Sequence, residues 1–169
     1  YNEIDRELCN TESLFDYLKA FKDLTHWSNY EKETALIKNY KEFWGKIKDN
    51  HKDLNDRLTR RRRGYQGLIY REAVERIQGY IESTKDINHI FIGFNALSKS
   101  ESEIIQEIIS KNGKIYWDID KEYLNSEYNN ACLFIQSYLK NWPHYKNNDL
   151  EILYDNYKRK KNIQVIGTP

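Results

Sequence analysis

Methionine is absent from this 169-residue chain, proline occurs only twice, and no glycine precedes Gly45. So few turn formers in the first third exclude a chain built there from short strands and tight hairpins. The missing methionine, the abrupt start at Tyr1 and the strand-like stop at Asn162–Pro169 lead us to expect a piece of a longer protein. The only cysteines, Cys9 and Cys132, lie far apart and fit neither a metal spacing nor a disulfide framework. Free, buried thiols in a reducing setting are expected. No apolar run has the length a membrane-spanning helix needs, and no basic-then-apolar leader opens the chain. The expectation is a cytoplasmic protein without a membrane partner. Charge of one sign is lacking too, because 27 Lys and Arg against 26 Asp and Glu leave a net +1. A global basic field is thereby excluded, and any electrostatic footprint must be local.

What is present changes character along the chain. Up to about residue 58 the apolar residues recur at helical spacing. Leu14, Phe15, Leu18 and Phe21 form one stripe, and Leu36, Ile37, Tyr40, Phe43, Trp44 and Ile47 another. These predict two antiparallel helices joined through the segment THWSNYEKE, with most aromatics in the core and Trp27 and Tyr30 at the tip as a contact surface. The run TRRRRGYQG, bracketed by Gly64 and Gly67, marks a junction. Leu68 to Ile81 reads as one further helix.

An α/β pattern follows. INHIFIGF reads as a buried strand, Ser98 to Lys111 as a helix closed by Asn112-Gly113, and KIYWDID as a second strand. Glu127 to Lys140 reads as a helix ended by Trp142-Pro143, Leu150 to Lys160 as another, and NIQVIG as a third strand. Strands separated by helices predict a small parallel sheet with right-handed crossovers. The expected organisation is a helical hairpin or insertion over 1–63, a partial α/β core over 64–161, and the start of a following domain over 162–169.

Ligands of such sheets bind beyond the carboxyl ends of the strands. The first end, Gly93-Phe94-Asn95-Ala96, carries no carboxylate, histidine or nucleophile. The second offers Asp118, Asp120 and Glu122, which either form a Mg²⁺ site of a small hydrolase or are turn formers in solvent. His89 reads as a hydrogen-bonded edge residue. Arg60, Arg61, Arg62 and Arg63 form the sharpest local charge. Beside Tyr65 and Tyr70 they suit phosphate gripping with base stacking, or they pair with Asp53, Asp56 and Glu72. A helical interaction module that works through the hairpin is a third possibility.

The order GYQGLIYREAVERI, HIFIGF, NALSKSE, IYWDID, followed by LN, resembles the middle of a UvrD-like superfamily-one helicase core. It is most similar to the degenerate version in the AddB subunit of AddAB helicase–nucleases, such as the PD-(D/E)XK nuclease family proteins of Bacteroidetes. The resemblance covers residues 64 to 169. It implies that Ile92 and Gly93 stand at the Walker B acidic pair, so that no Mg²⁺ anchor or water-orienting group remains. Asp118 matches the next motif, and Lys121 falls near its γ-phosphate-sensing glutamine. There is no phosphate loop, and the nuclease portion of the family lies outside these residues. The resemblance implies a fragment with no catalytic residue, metal or cofactor of its own. Its parent would be a subunit of a bacterial ATP-dependent nuclease in double-strand-break repair and recombination, with DNA and an AddA-type subunit as partners.

Overall fold

The computed structural model describes residues 1–27, 35–124, 126, 128, 130–151 and 154–167, with side chains for all of these except 21–27, 35–37 and 41. It is mixed α/β and mostly helical, with a two-stranded parallel sheet. By its contacts the chain divides into two compact units, Tyr1–Ile77 with Ser98–Glu101, and Gln78–Leu97 with Ser102–Pro169.

The first unit contains α1 (Asn2–Arg6), α2 (Thr11–Trp27), α3 (Ala35–Arg60) and α4 (Gln66–Glu75). Asn10 starts α2, its Oδ1 accepting the Ser13 amide at 3.0 Å. Phe15 is buried and meets the His51 ring of α3 in a tilted contact at 5.4 Å, while Lys48 pairs with Asp16. Only part of the second aromatic stripe turns inward, since Phe43 and Tyr40 remain exposed around Trp44. The expected connector tip, Tyr30 included, and the side chains of Phe21, Trp27, Leu36 and Ile37 lie outside the described residues.

The short helix α1, which periodicity does not announce, packs directly on α4. Asn2 Oδ1 accepts the Gly67 amide at 2.8 Å, and a β-carbon on Gly67 would stand 2.0 Å from the Asn2 carbonyl oxygen. Gly67 therefore serves close approach of two backbones, beyond marking a junction. The helix expected from 68 to 81 is two helices: α4 closes at Arg76 and α5 (Ile77–Ser83) begins afresh.

The second unit holds β1 (His89–Ile92) and β2 (Gly113–Tyr116), parallel and in register from His89 opposite Gly113 to Ile92 opposite Tyr116. They are linked by α6 (Lys99–Ile109), followed by α7 (Lys121–Leu124) and α8 (Leu133–Asn141). The sheet has one packed face. Ile115 is buried and Phe91 joins the core, but Ile90 and Ile92 are 60% and 69% exposed, so β1 is not the fully buried strand its composition suggests. The core behind the packed face gathers Ile105 and Ile109 of α6, then Trp117, Ile119, Cys132, Ile135, Tyr138 and Trp142. Trp117, Tyr138 and Trp142 stack in sequence at 5.4 and 4.8 Å between ring centroids. The Trp117 indole donates to the Tyr145 hydroxyl at 2.6 Å, which satisfies the polar end of a buried ring. Trp142 leaves α8 in an extended conformation, as the residue before Pro143 should.

Three expectations are corrected. Asn112-Gly113 is no left-handed cap. Gly113 opens β2 and is small because a β-carbon would meet Ile109 Cα at 3.1 Å, while the Asn112 amide donates to the carbonyls of Thr84 and Ile87. Over the described part of 150–160 there is no helix, because Asp120 captures that backbone. Tyr154 bridges Asp120 in parallel, and Asp120 Oδ2 accepts the amides of Asn156 and Tyr157 at 2.7 and 3.0 Å. Residues 162–167 form no ladder among the described residues, so the sheet has two strands there and not three.

Gly67→Ala should destabilise the chain by about 1–3 kcal/mol, because the added methyl overfills a backbone–backbone contact. The shift in urea unfolding midpoint measures it, and an unchanged midpoint would remove close packing of α1 on α4.

Candidate nucleic-acid interface

α3 ends in a turn made by its own carbonyls. The Arg62 amide donates to the Thr59 carbonyl at 2.9 Å and the Arg63 amide to Leu58 at 3.0 Å, the paired bonds of a Schellman closure. The residue at the left-handed position of that closure is Arg62, with φ +53. Glycine is usual there, and an L side chain costs about 1–2 kcal/mol. Arg60 to Arg63 are all exposed. No ion pair joins any of them to a carboxylate among the described residues. Two of the acids expected to neutralise them are engaged elsewhere at one-turn spacing, Asp53 with Arg57 and Glu72 with Arg76.

Behind this turn lies a buried polar cluster that the sequence gives no hint of. Asp5 is 0% exposed. Its Oδ1 accepts Arg71 Nε at 2.8 Å, its Oδ2 lies 3.0 Å from His51 Nε2, and the Tyr65 hydroxyl donates to Oδ2. Arg71 also donates to the carbonyls of Ile4 and Cys9, at 3.2 and 2.8 Å. Asn55 completes the group, with Oδ1 2.8 Å from the Tyr65 hydroxyl and Nδ2 3.2 Å from His51 Nε2. One hydroxyl proton cannot serve both Asp5 and Asn55. Proton counting is satisfied if the Asn55 amide is turned over, so that its NH₂ donates to Tyr65 and its oxygen shares the His51 N–H with Asp5. A cleft of about 270 Å³ opens beside the cluster, with Phe15, Lys48, Lys52 and Glu75 among its walls.

Burial pushes the Asp5 carboxyl up, but the hydrogen bonds from Tyr65 and His51 and the Coulombic pull of His51 and Arg71 outweigh it, leaving it below the ordinary carboxylate value. Tyr65 is pushed well above its ordinary value, first by burial and then by its bond to Asp5 and that group's charge. It stays a protonated donor. Tyr65 is thus a tie between the turn and α1, and its hydroxyl anchors it in place of a free stacking ring. Tyr70, the other aromatic beside the arginines, accepts from the Gln66 amide at 3.2 Å.

In the second unit Ile92 ends β1 and Gly93 follows with φ +77. Asp118 is exposed between the buried Trp117 and Ile119, and Lys121 opens α7 with its amide bonded to the Tyr154 carbonyl at 2.7 Å. Asp120 is a backbone cap. Its Oδ1 takes the Glu122 amide at 3.0 Å, its Oδ2 the amides named above, and chiefly the first of these bonds holds its carboxyl below the ordinary value. Glu122 pairs with Lys158. No group of three metal-ligating side chains converges among the described residues. His89 meets the Tyr80 hydroxyl at 3.0 Å, at the strand edge as expected.

At the start of α6, Ser98 and Glu101 form a reciprocal capping box. Glu101 Oε2 accepts the Ser98 amide at 2.8 Å and Ser98 Oγ accepts the Glu101 amide at 3.4 Å. The Ser-x-x-Glu spacing carries that signal in the sequence. No family model, curated protein or solved structure matches this chain.

Asp5→Asn should destabilise the chain by about 3–5 kcal/mol, since it strips the countercharge from Arg71 inside a buried cluster. Because the folded carboxyl is depressed, its contribution is complete above the unfolded value of about 3.9 and is lost as pH falls through the lower folded value. Melting temperatures from pH 6 to pH 2 should converge between wild type and the variant at the acid end. Parallel curves would contradict the assignment.

Proposed function

We propose that this chain is a non-catalytic, helicase-like segment of a bacterial AddB-type helicase–nuclease subunit, acting in double-strand-break repair as a scaffold for DNA and for an AddA-type partner. The observation that carries the reading is the parallel β1–α6–β2 unit, whose first strand ends in Ile92 and a left-handed Gly93. At that strand end an ATPase of this class needs a carboxylate for Mg²⁺ and another to orient water. An apolar side chain and a hydrogen atom supply neither. Trp117, which the resemblance sets at the opening of the next motif, is turned into the core. The sheet then works as a support whose apolar β1 face is available to a partner, and the first unit separately offers its exposed arginine turn.

Coexpression with an AddA-type subunit tests this. The two should elute together at a mass equal to their sum by light scattering, and the chain alone should release no phosphate from Mg·ATP. Separate elution, or phosphate release by the chain alone, would overturn the reading.

A further inference from the structure

We propose that the Arg60–Arg63 turn is a clamp for the phosphate backbone of duplex DNA that makes no base contact. This names the ligand form for the DNA-scaffold reading above and rests on it. Three observations in the first unit lead there.

The four guanidinium groups are consecutive, exposed and unmatched by carboxylates among the described residues, while Asp53 and Glu72 are held by Arg57 and Arg76. Neutralising the carbonyl end of α3 does not require this many charges, because that effect fades within the last turn, where Arg57 and Arg60 already sit. The second observation is Arg62 at the left-handed position of the Schellman closure. A charged side chain therefore stands at Arg62 against the local backbone preference. The third is Tyr65. Sequence-tolerant grip on single strands depends on aromatic faces on which bases stack. Here the adjacent tyrosine is tied by its hydroxyl to a fully buried carboxylate. With Tyr65 withdrawn and Tyr70 bonded to Gln66 one turn away on α4, guanidinium chemistry dominates the turn, and it suits phosphate oxygens in fork geometry and fixes position without reading sequence. Duplex DNA presents the denser row of such charges, one per about 1.7 Å of axis.

The turn is also rigid. Its two flanks, α3 through His51 and Asn55 and α4 through Arg71, are both bonded into the Asp5 cluster, so the arginine backbone needs little ordering on binding.

Fluorescence anisotropy with a labelled mixed-sequence 20-base-pair duplex tests the clamp on the full chain. If four phosphates are neutralised, log affinity against log salt should have a slope of about −3.6, a loss of about 150-fold between 50 and 200 mM. A single strand with the same number of phosphates should bind more weakly. Replacing all four arginines by alanine should lower duplex affinity at least tenfold and flatten the slope. Arg62→Gly is the decisive single change, because it relieves the backbone and should raise the melting temperature by a few degrees while weakening binding several-fold. Duplex affinity unchanged in both variants, preference for the single strand, or equal competition by inorganic tripolyphosphate would overturn the clamp. None of these results touches coelution with the AddA-type partner, which judges the parent reading separately.

Discussion

A carboxylate removed from water holds the first unit together. Asp5 has no exposed surface, and an unpaired charge in that position would cost several kcal/mol, a large share of a domain's ordinary stability. It is tolerable because donors arrive from three directions: His51 on α3, Tyr65 before α4, and Arg71 on α4. Each donor fixes the element that carries it. The hairpin base, the arginine turn and α4 therefore take their mutual placement from one group on a five-residue helix too short to be stable by itself. Apolar contacts fill in around that arrangement, with Tyr1 and Phe15 against the His51 ring.

The second unit is organised by apolar and aromatic packing. Its three stacked rings, Trp117, Tyr138 and Trp142, bury large surfaces in fixed orientations, and the polar atoms of Trp117 and Tyr138 find local partners in the Tyr145 hydroxyl and the Leu97 amide. The segment after β2 is consequently committed to the core on one side. Asp118 and Asp120 occupy the other side by simple alternation, and Asp120 spends both oxygens on backbone amides. A cluster of acids in sequence thus becomes a capping device in space.

Elements whose signal is local were legible. The α2, α3 and α6 periodicity, the β-branched runs of β1 and β2, their parallel pairing and the stop at Pro143 all follow from short windows of residues. The failures have a common cause. At 154–160 the helical spacing was real, but a carboxylate more than thirty residues earlier took the backbone amides. The Asp5 cluster joins residues up to 66 positions apart, and neither Asp5 nor Arg71 has a neighbour that marks it as buried. In the candidate interface the arginine run was visible as charge. Its unpaired state and the diversion of Tyr65 inward were decided by distant partners.

The backbone at Gly93 constrains which side chains that strand end can bear. With φ +77, that position admits any side chain only under strain, although the space around it is open. A carboxylate placed at residue 93 by point substitution would be strained, since the chain path itself would have to be redrawn before a glutamate sat comfortably. The loop thus limits what residue 93 can carry through its backbone and not through crowding.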